Sequence, residues 1–167
     1  MNDEKDIIVY KKIRDVGITS DHVIAVNFQY EFDRSLAMIR AENDPSTTRN
    51  GLFDVITNLA GFILQNVNDD DIKTKVRDEI KRLDSDELSP KTTMDYIHHD
   101  KRYKLTYDSY QVECNPPDLP VAMEQLNRER EEVTIRNLWA MLGRLKAMAY
   151  EQGIFKSNYL VDRSQIS

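Results

Sequence analysis

Residues 118–154 read DLPVAMEQLNREREEVTIRNLWAMLGRLKAMAYEQGI, and the interpretation of this stretch decides the fold. Asp118 can accept a hydrogen bond from an unsatisfied amide of a first helical turn. Pro120 falls within that turn, where its missing N–H costs least. Ile135, Leu138, Leu142, Leu145 and Ala149 recur at steps of three and four, placing them on one stripe that must be covered. Gly153 can take the left-handed conformation that closes a helix, and Ile154 supplies the apolar residue that folds back on the last turn. The stretch therefore predicts one amphipathic helix from Asp118 to Gln152, roughly 50 Å long at 1.5 Å per residue. Five charges at Arg128–Glu132 interrupt the stripe and predict a solvated middle. Trp139, Met141 and Met148 widen the apolar face beyond it, so cover is needed on more than one side, from the chain's own helices or from a second copy.

Upstream, helical periodicity continues. Asp6–Val16 reads as a short helix ended by Gly17 and Ile18, with caps for a second helix at Thr19, Ser20 and Asp21. Ile24, Val26, Phe28, Tyr30 and Phe32 alternate like a strand, but Ile24, Phe28, Phe32 and Leu36 also keep a four-residue step. The flanking caps and the continuation through Glu42 favour a helix ending near Asn43. Leu52, Val55, Ile56, Leu59, Phe62 and Ile63 give the cleanest apolar face and are expected at the centre of the core. Gly61, inside that pattern, is expected to admit a close neighbouring helix. Asn68–Asp71 then caps a charged helix carrying Ile72, Val76, Ile80 and Leu83, with acidic residues at the positive end of its dipole. Ser89 and Pro90 signal a further short helix to about His98. Alternation at Tyr103, Leu105, Tyr107 and at Tyr110, Val112, Cys114 predicts a small β-hairpin within 102–114. The fold class that emerges is mainly α: five or six helices in one domain over 1–155, one long C-terminal helix, a possible hairpin and a tail at 156–167.

A chain of 167 residues can bury a sizeable core. The net charge of −6, with no long basic run, argues against nucleic-acid or anionic-membrane binding. No apolar run reaches the length of a membrane span, and Asn2–Lys5 does not read as a signal peptide. The single cysteine, Cys114, excludes an intramolecular disulfide and a cysteine-based metal cluster, which suits a reducing compartment; a cytoplasmic location is expected.

Motifs that carry chemistry are sparse. The spacing of Val16, Gly17, Ile18, Val23 and Val26 resembles the turn of DNA-binding helix-turn-helix motifs, yet Ile13 stands where that motif wants a small residue. Asp21 and His22 offer no guanidinium to the presumed recognition helix. His98, His99 and Asp100 resemble the His-Asp pair of HD-type metal phosphohydrolases, which implies further ligands such as His22 and Asp118; the plainer reading is a polar helix end. Asn66, Asn68 and Asp70 have the look of a calcium loop, but Arg77 occupies the place of its bidentate glutamate. Tyr96, Tyr103, Tyr107 and Tyr110 gather near Lys101, Arg102 and Lys104, a composition common at protein interfaces.

These features favour a non-enzymatic helical scaffold, adaptor or inhibitor, self-associating, with no cofactor or bound metal and with a protein partner. The expected interface comprises Leu138, Trp139, Leu142 and Leu145 on the long helix with Tyr103, Tyr107 and Tyr110. An HD-like phosphohydrolase and a helix-turn-helix DNA binder are the alternatives.

Overall fold

The structure, a computed structural model, describes residues 20–85, 88–89, 91–107 and 110–157, with side chains described from residue 24 onward. The short helix expected at Asp6–Val16, the turn of the helix-turn-helix resemblance and most of the 156–167 tail lie outside the described residues. Four α-helices are described, fewer than the five or six expected: α1 (Ser20–Arg40), α2 (Pro45–Asn66), α3 (Asp70–Arg82) and α4 (Leu119–Glu151). Between α3 and α4 lie three strands, β1 (Thr92–Ile97), β2 (Arg102–Tyr107) and β3 (Tyr110–Cys114), then a short 3-10 turn at Pro116–Asp118.

The ambiguous stretch Ile24–Phe32 is helical. Its buried face is formed by Val26, Gln29, Phe32 and Leu36, while Ile24 faces solvent. α2 begins with Pro45 in its first turn. Asp44 caps it, accepting from the Thr47 N–H at 3.1 Å and the Thr47 hydroxyl at 2.6 Å. All six apolar residues expected on the core face of α2 are buried. Gly61, however, sits in open space: a Cβ there would meet nothing within 4 Å. The close approach is instead at Gly51, where a Cβ would lie 3.1 Å from Ile39 of α1. α3 is capped by Asp69, which accepts from the N–H groups of Asp71 and Ile72.

α4 runs 33 residues, about 50 Å. Its N-terminal cap departs from expectation: Asp118 belongs to the 3-10 turn and makes no side-chain capping bond, so Pro120 and the turn itself start the helix. Its C-terminus closes as expected. Gly153 has φ +73°; its N–H donates to Tyr150 O and that of Ile154 to Ala149 O, the two bonds of a Schellman motif. Phe155 then folds back and is buried against Phe28, Phe32 and Phe62, with Tyr150 edge-on at 5.7 Å.

The charged middle of α4 divides the hydrophobic interior. Leu138, Met141, Leu142, Leu145 and Ala149 join α1, α2 and α3 in the main core, whereas Ala122 and Leu126 pack with Leu105, Tyr107 and Cys114 in a smaller cluster under the sheet. One helix thus ties a helical body to a β module.

Where a short helix to about His98 is expected, residues 92–97 form a strand. Thr92, Thr93, Tyr96 and Ile97 are β-branched or aromatic residues that fit a pleated surface, and β2 supplies the ladder they need; together these outweigh the Ser-Pro helix-start signal. The hairpin expected within 102–114 is present as β2 and β3, and β1 adds to its outer side to give an antiparallel sheet in the order β1-β2-β3. Registers Met94↔Leu105↔Val112 and Tyr96↔Tyr103↔Cys114 place the apolar residues on one face. On the other face, Asp95, Lys104 and Glu113 stand side by side with alternating charge.

Candidate functional site

The apolar face of the sheet is covered unevenly. Leu105, at its centre, is 1% exposed beneath Ala122 and Leu126 of α4. The same face continues onto β1 with Met94 51% and Tyr96 40% exposed. Tyr96 leans on Tyr103 with ring centroids 5.0 Å apart and on His98 at 4.9 Å, which holds the ring near the sheet without covering it. Among the described residues β1 has no partner on its outer side, so an open ladder edge coincides with an uncovered apolar strip. An edge of this kind is a template for another strand, and proteins that keep such edges solitary place charge or proline on them. β1 carries one charge, Asp95, on the face opposite the strip.

The residues singled out in the sequence fall into different environments. Leu138, Leu142 and Leu145 are covered by the chain's own helices and lie in the main core. Trp139 packs against that core with the Arg40 guanidinium 5.5 Å from its ring centroid. Tyr107 is buried below the sheet, Tyr103 is half-buried in the same cluster, and Tyr110 is exposed on β3. Of the residues expected at an interface, Tyr110 is exposed and the leucine stripe is not; exposed apolar side chains lie on β1 at Met94 and Tyr96 and also at Ile24, Met38, Val121 and Met123. Met94 lies in the segment whose Ser-Pro start predicts a helix, and that signal masks its place on a strand.

His98, His99 and Asp100 form the exposed turn joining β1 to β2, with Lys101 closing it at φ 52°; they are not a helix end. His99 Nε2 is 3.7 Å from Asp100 Oδ2, and both side chains are largely in water. Among the described residues no three of the His, Cys, Asp and Glu side chains come together as metal ligands. At the presumed calcium loop, Asn66 donates its amide back to Phe62 O within α2, and Asp69 is spent on capping α3. No described helix is long and apolar enough to cross a membrane.

Two polar arrangements escaped the sequence. Glu79 of α3 is 5% exposed and receives Arg144 of α4 in a fork, Nε to Oε1 at 2.7 Å and Nη2 to Oε2 at 2.9 Å, with Arg82 at 2.9 Å. The carboxylate holds Arg144 above its ordinary guanidinium pKa, chiefly through these hydrogen bonds. Gln29, 1% exposed, clamps the backbone of Lys156 from both sides: its amide N–H donates to Lys156 O and its carbonyl accepts the Lys156 N–H, each at 2.9 Å. The described chain is thus anchored one residue beyond the expected domain limit.

A concave region lies where α2, α4 and the segment after α3 meet. It encloses about 510 Å³, with Phe53, Leu83 and Leu88 as its apolar side and Arg49, Arg130 and Glu131 among its charged groups. Asn137 fixes this segment by donating to Leu88 O at 2.9 Å. Compared with protein-family models, curated proteins and solved structures, the chain shows no significant match.

Proposed function

We propose that the protein is a non-enzymatic scaffold or adaptor that works through protein contacts, and that its first partner is a second copy of itself docked along β1. The observation that carries this reading is the coincidence on one strand of a hydrogen-bonding edge with no partner among the described residues and a half-exposed apolar strip, Met94 and Tyr96.

The sequence of β1 is compatible with self-pairing centred on Met94. Two antiparallel copies related by a twofold axis perpendicular to the sheet keep their apolar faces on the same side only if the axis passes through a residue. An axis at Asp95 sets two carboxylates opposite each other. An axis at Met94 sets Met94 against itself, Asp95 against Thr93 of the second copy and Thr92 against Tyr96, with no like charges opposed. The product is a continuous six-stranded sheet in which the two Met94–Tyr96 strips meet between the two α4 helices.

Sedimentation velocity tests the proposal. The wild-type chain is expected to sediment as a dimer at about 50 μM, the range in which modest strand-edge interfaces assemble. Met94→Lys should sediment as a monomer and keep the far-ultraviolet circular dichroism of the wild type, because Met94, 51% exposed, contributes little to the fold of a single copy. Tyr110→Lys, on the opposite edge, should remain dimeric. A monomeric wild type, or a Met94→Lys variant as dimeric as the wild type, overturns the reading.

A further inference from the structure

The central side chain of β1 is out of character with its neighbours. Thr92, Thr93, Tyr96 and Ile97 are the β-branched and aromatic residues that a pleated surface favours, whereas Met94 is unbranched and flexible. What methionine brings to this position, and an aliphatic residue would not, is a thioether that a peroxide can oxidise. Among the described methionines, Met141 is buried and Met148 packs partly buried against the main core, while Met38, Met94 and Met123 are exposed. Met38 lies on α1 and Met123 on α4; of the three, Met94 is the one on β1.

We propose that Met94 is a peroxide-sensitive switch of self-association, oxidised while the chain is a monomer and blocking the pairing until it is reduced. The switch rests on the β1 pairing proposed above. The sulfur gives an electron pair to one oxygen of hydrogen peroxide and the O–O bond breaks. The sulfur keeps that oxygen as a sulfoxide, and the other leaves as water. A methionine sulfoxide reductase reverses the step with two electrons from a dithiol, which becomes a disulfide, and the oxygen departs as water. Each sulfur is reachable in a single copy, where Met94 is 51% exposed, and is covered once the second copy docks. With the twofold axis through Met94, one modified position enters the interface twice. Both copies bring a polar S=O group, solvated in the monomer, into the same apolar strip, so pairing of two oxidised chains is weakened by about 30-fold or more.

The test is sedimentation velocity of the full chain before and after a graded dose of hydrogen peroxide, with the oxidised residues identified by mass spectrometry of tryptic peptides. At about 50 μM the untreated wild type is expected to be dimeric and the chain carrying Met94 sulfoxide monomeric; methionine sulfoxide reductases A and B with dithiothreitol should restore the dimer. Met94→Leu keeps the volume and apolar character of the position, so it should be dimeric and stay dimeric at the same dose, although it retains Met38, Met123 and Cys114. A second measurement needs no variant. In excess peroxide, oxidation of Met94 should slow as the wild type is raised from about 1 to about 200 μM, because the dimer covers the sulfur, while oxidation of Met38 keeps its rate. The pairing and the switch fail separately. A monomeric untreated wild type overturns the pairing and the switch with it. The switch is overturned while the dimer stands if the wild type stays dimeric with Met94 fully oxidised, if peroxide dissociates Met94→Leu equally, or if Met94 oxidises at the same rate at every concentration.

Discussion

Replacing Glu79 tests how α3 is held to the long helix. The carboxylate is buried and accepts three hydrogen bonds from Arg144 and Arg82, whereas each arginine side chain is 45% exposed. Charge-assisted bonds contribute roughly 1.5–3 kcal/mol each when fully desolvated, but here both guanidiniums can recover hydration once released. The loss on Glu79→Gln is therefore about 1–2 kcal/mol, arising mainly from an amide N–H forced to face a guanidinium donor. Glu79→Ala adds a cavity and should cost about 2–3 kcal/mol. Because the Arg144 fork makes two of the three bonds, a double-mutant cycle between Glu79→Gln and Arg144→Gln should return a coupling of about 1 kcal/mol. Urea unfolding followed by far-ultraviolet circular dichroism measures all three, with the urea dependence unchanged if unfolding stays two-state. Losses below about 0.3 kcal/mol for both Glu79 variants would refute the reasoning, since a buried acceptor with three donors cannot be removed without cost.

The remaining expectations concern other parts of the fold. Phe155→Ala empties a site among four aromatic rings and should destabilise by about 3–5 kcal/mol in the same urea assay, whereas a disposable tail residue would show no effect. Gly61→Ala, with open space for its Cβ, should stabilise by about 0.5–1 kcal/mol in a thermal melt. Gly153→Ala, at φ +73°, should destabilise by about 1 kcal/mol, and a stabilised variant contradicts the Schellman closure. The Thr47 hydroxyl and N–H hold the Asp44 carboxyl below its usual pKa. A depressed folded pKa gives stability that is present above the unfolded value and lost as pH falls through the folded one. The wild type should therefore lose more stability than Asp44→Ala between pH 5 and about pH 2, and parallel curves would show the cap to be inert.

The helical body was legible because its signals are local. Caps, three-and-four spacing and a closing glycine define α2, α3 and α4 within a few residues of each other in sequence, and physical chemistry reads them directly. β1 was not legible, since a six-residue strand needs a neighbour to exist and its opening Ser-Pro pair also signals a helix. Glu79 and Gln29 look like surface residues in sequence; what buries them are partners 65 and 127 positions away. The leucine stripe of α4 requires cover on sequence grounds alone, but which surface supplies it depends on how α1, α2 and α3 pack, a long-range outcome. The uncovered strip at Met94 and Tyr96 becomes visible only once the β1–β2 register places both residues beside the buried Leu105 and Tyr103. The pocket likewise joins Arg49 and Arg130 from separate helices, with no motif linking them in sequence.

Oxidative cross-linking of single cysteines tests the central claim, self-association through β1, most directly. In a Cys114→Ala background, Met94→Cys places one thiol on the proposed twofold axis, where paired strands bring Cα atoms within about 4.5–5.5 Å and a disulfide can form. Thr92→Cys, two residues from the axis in each copy, leaves its thiols about 13 Å apart and cannot link. The account predicts a covalent dimer on a non-reducing gel for Met94→Cys and a monomer for Thr92→Cys. Equal dimer from both variants, or none from Met94→Cys, would contradict it.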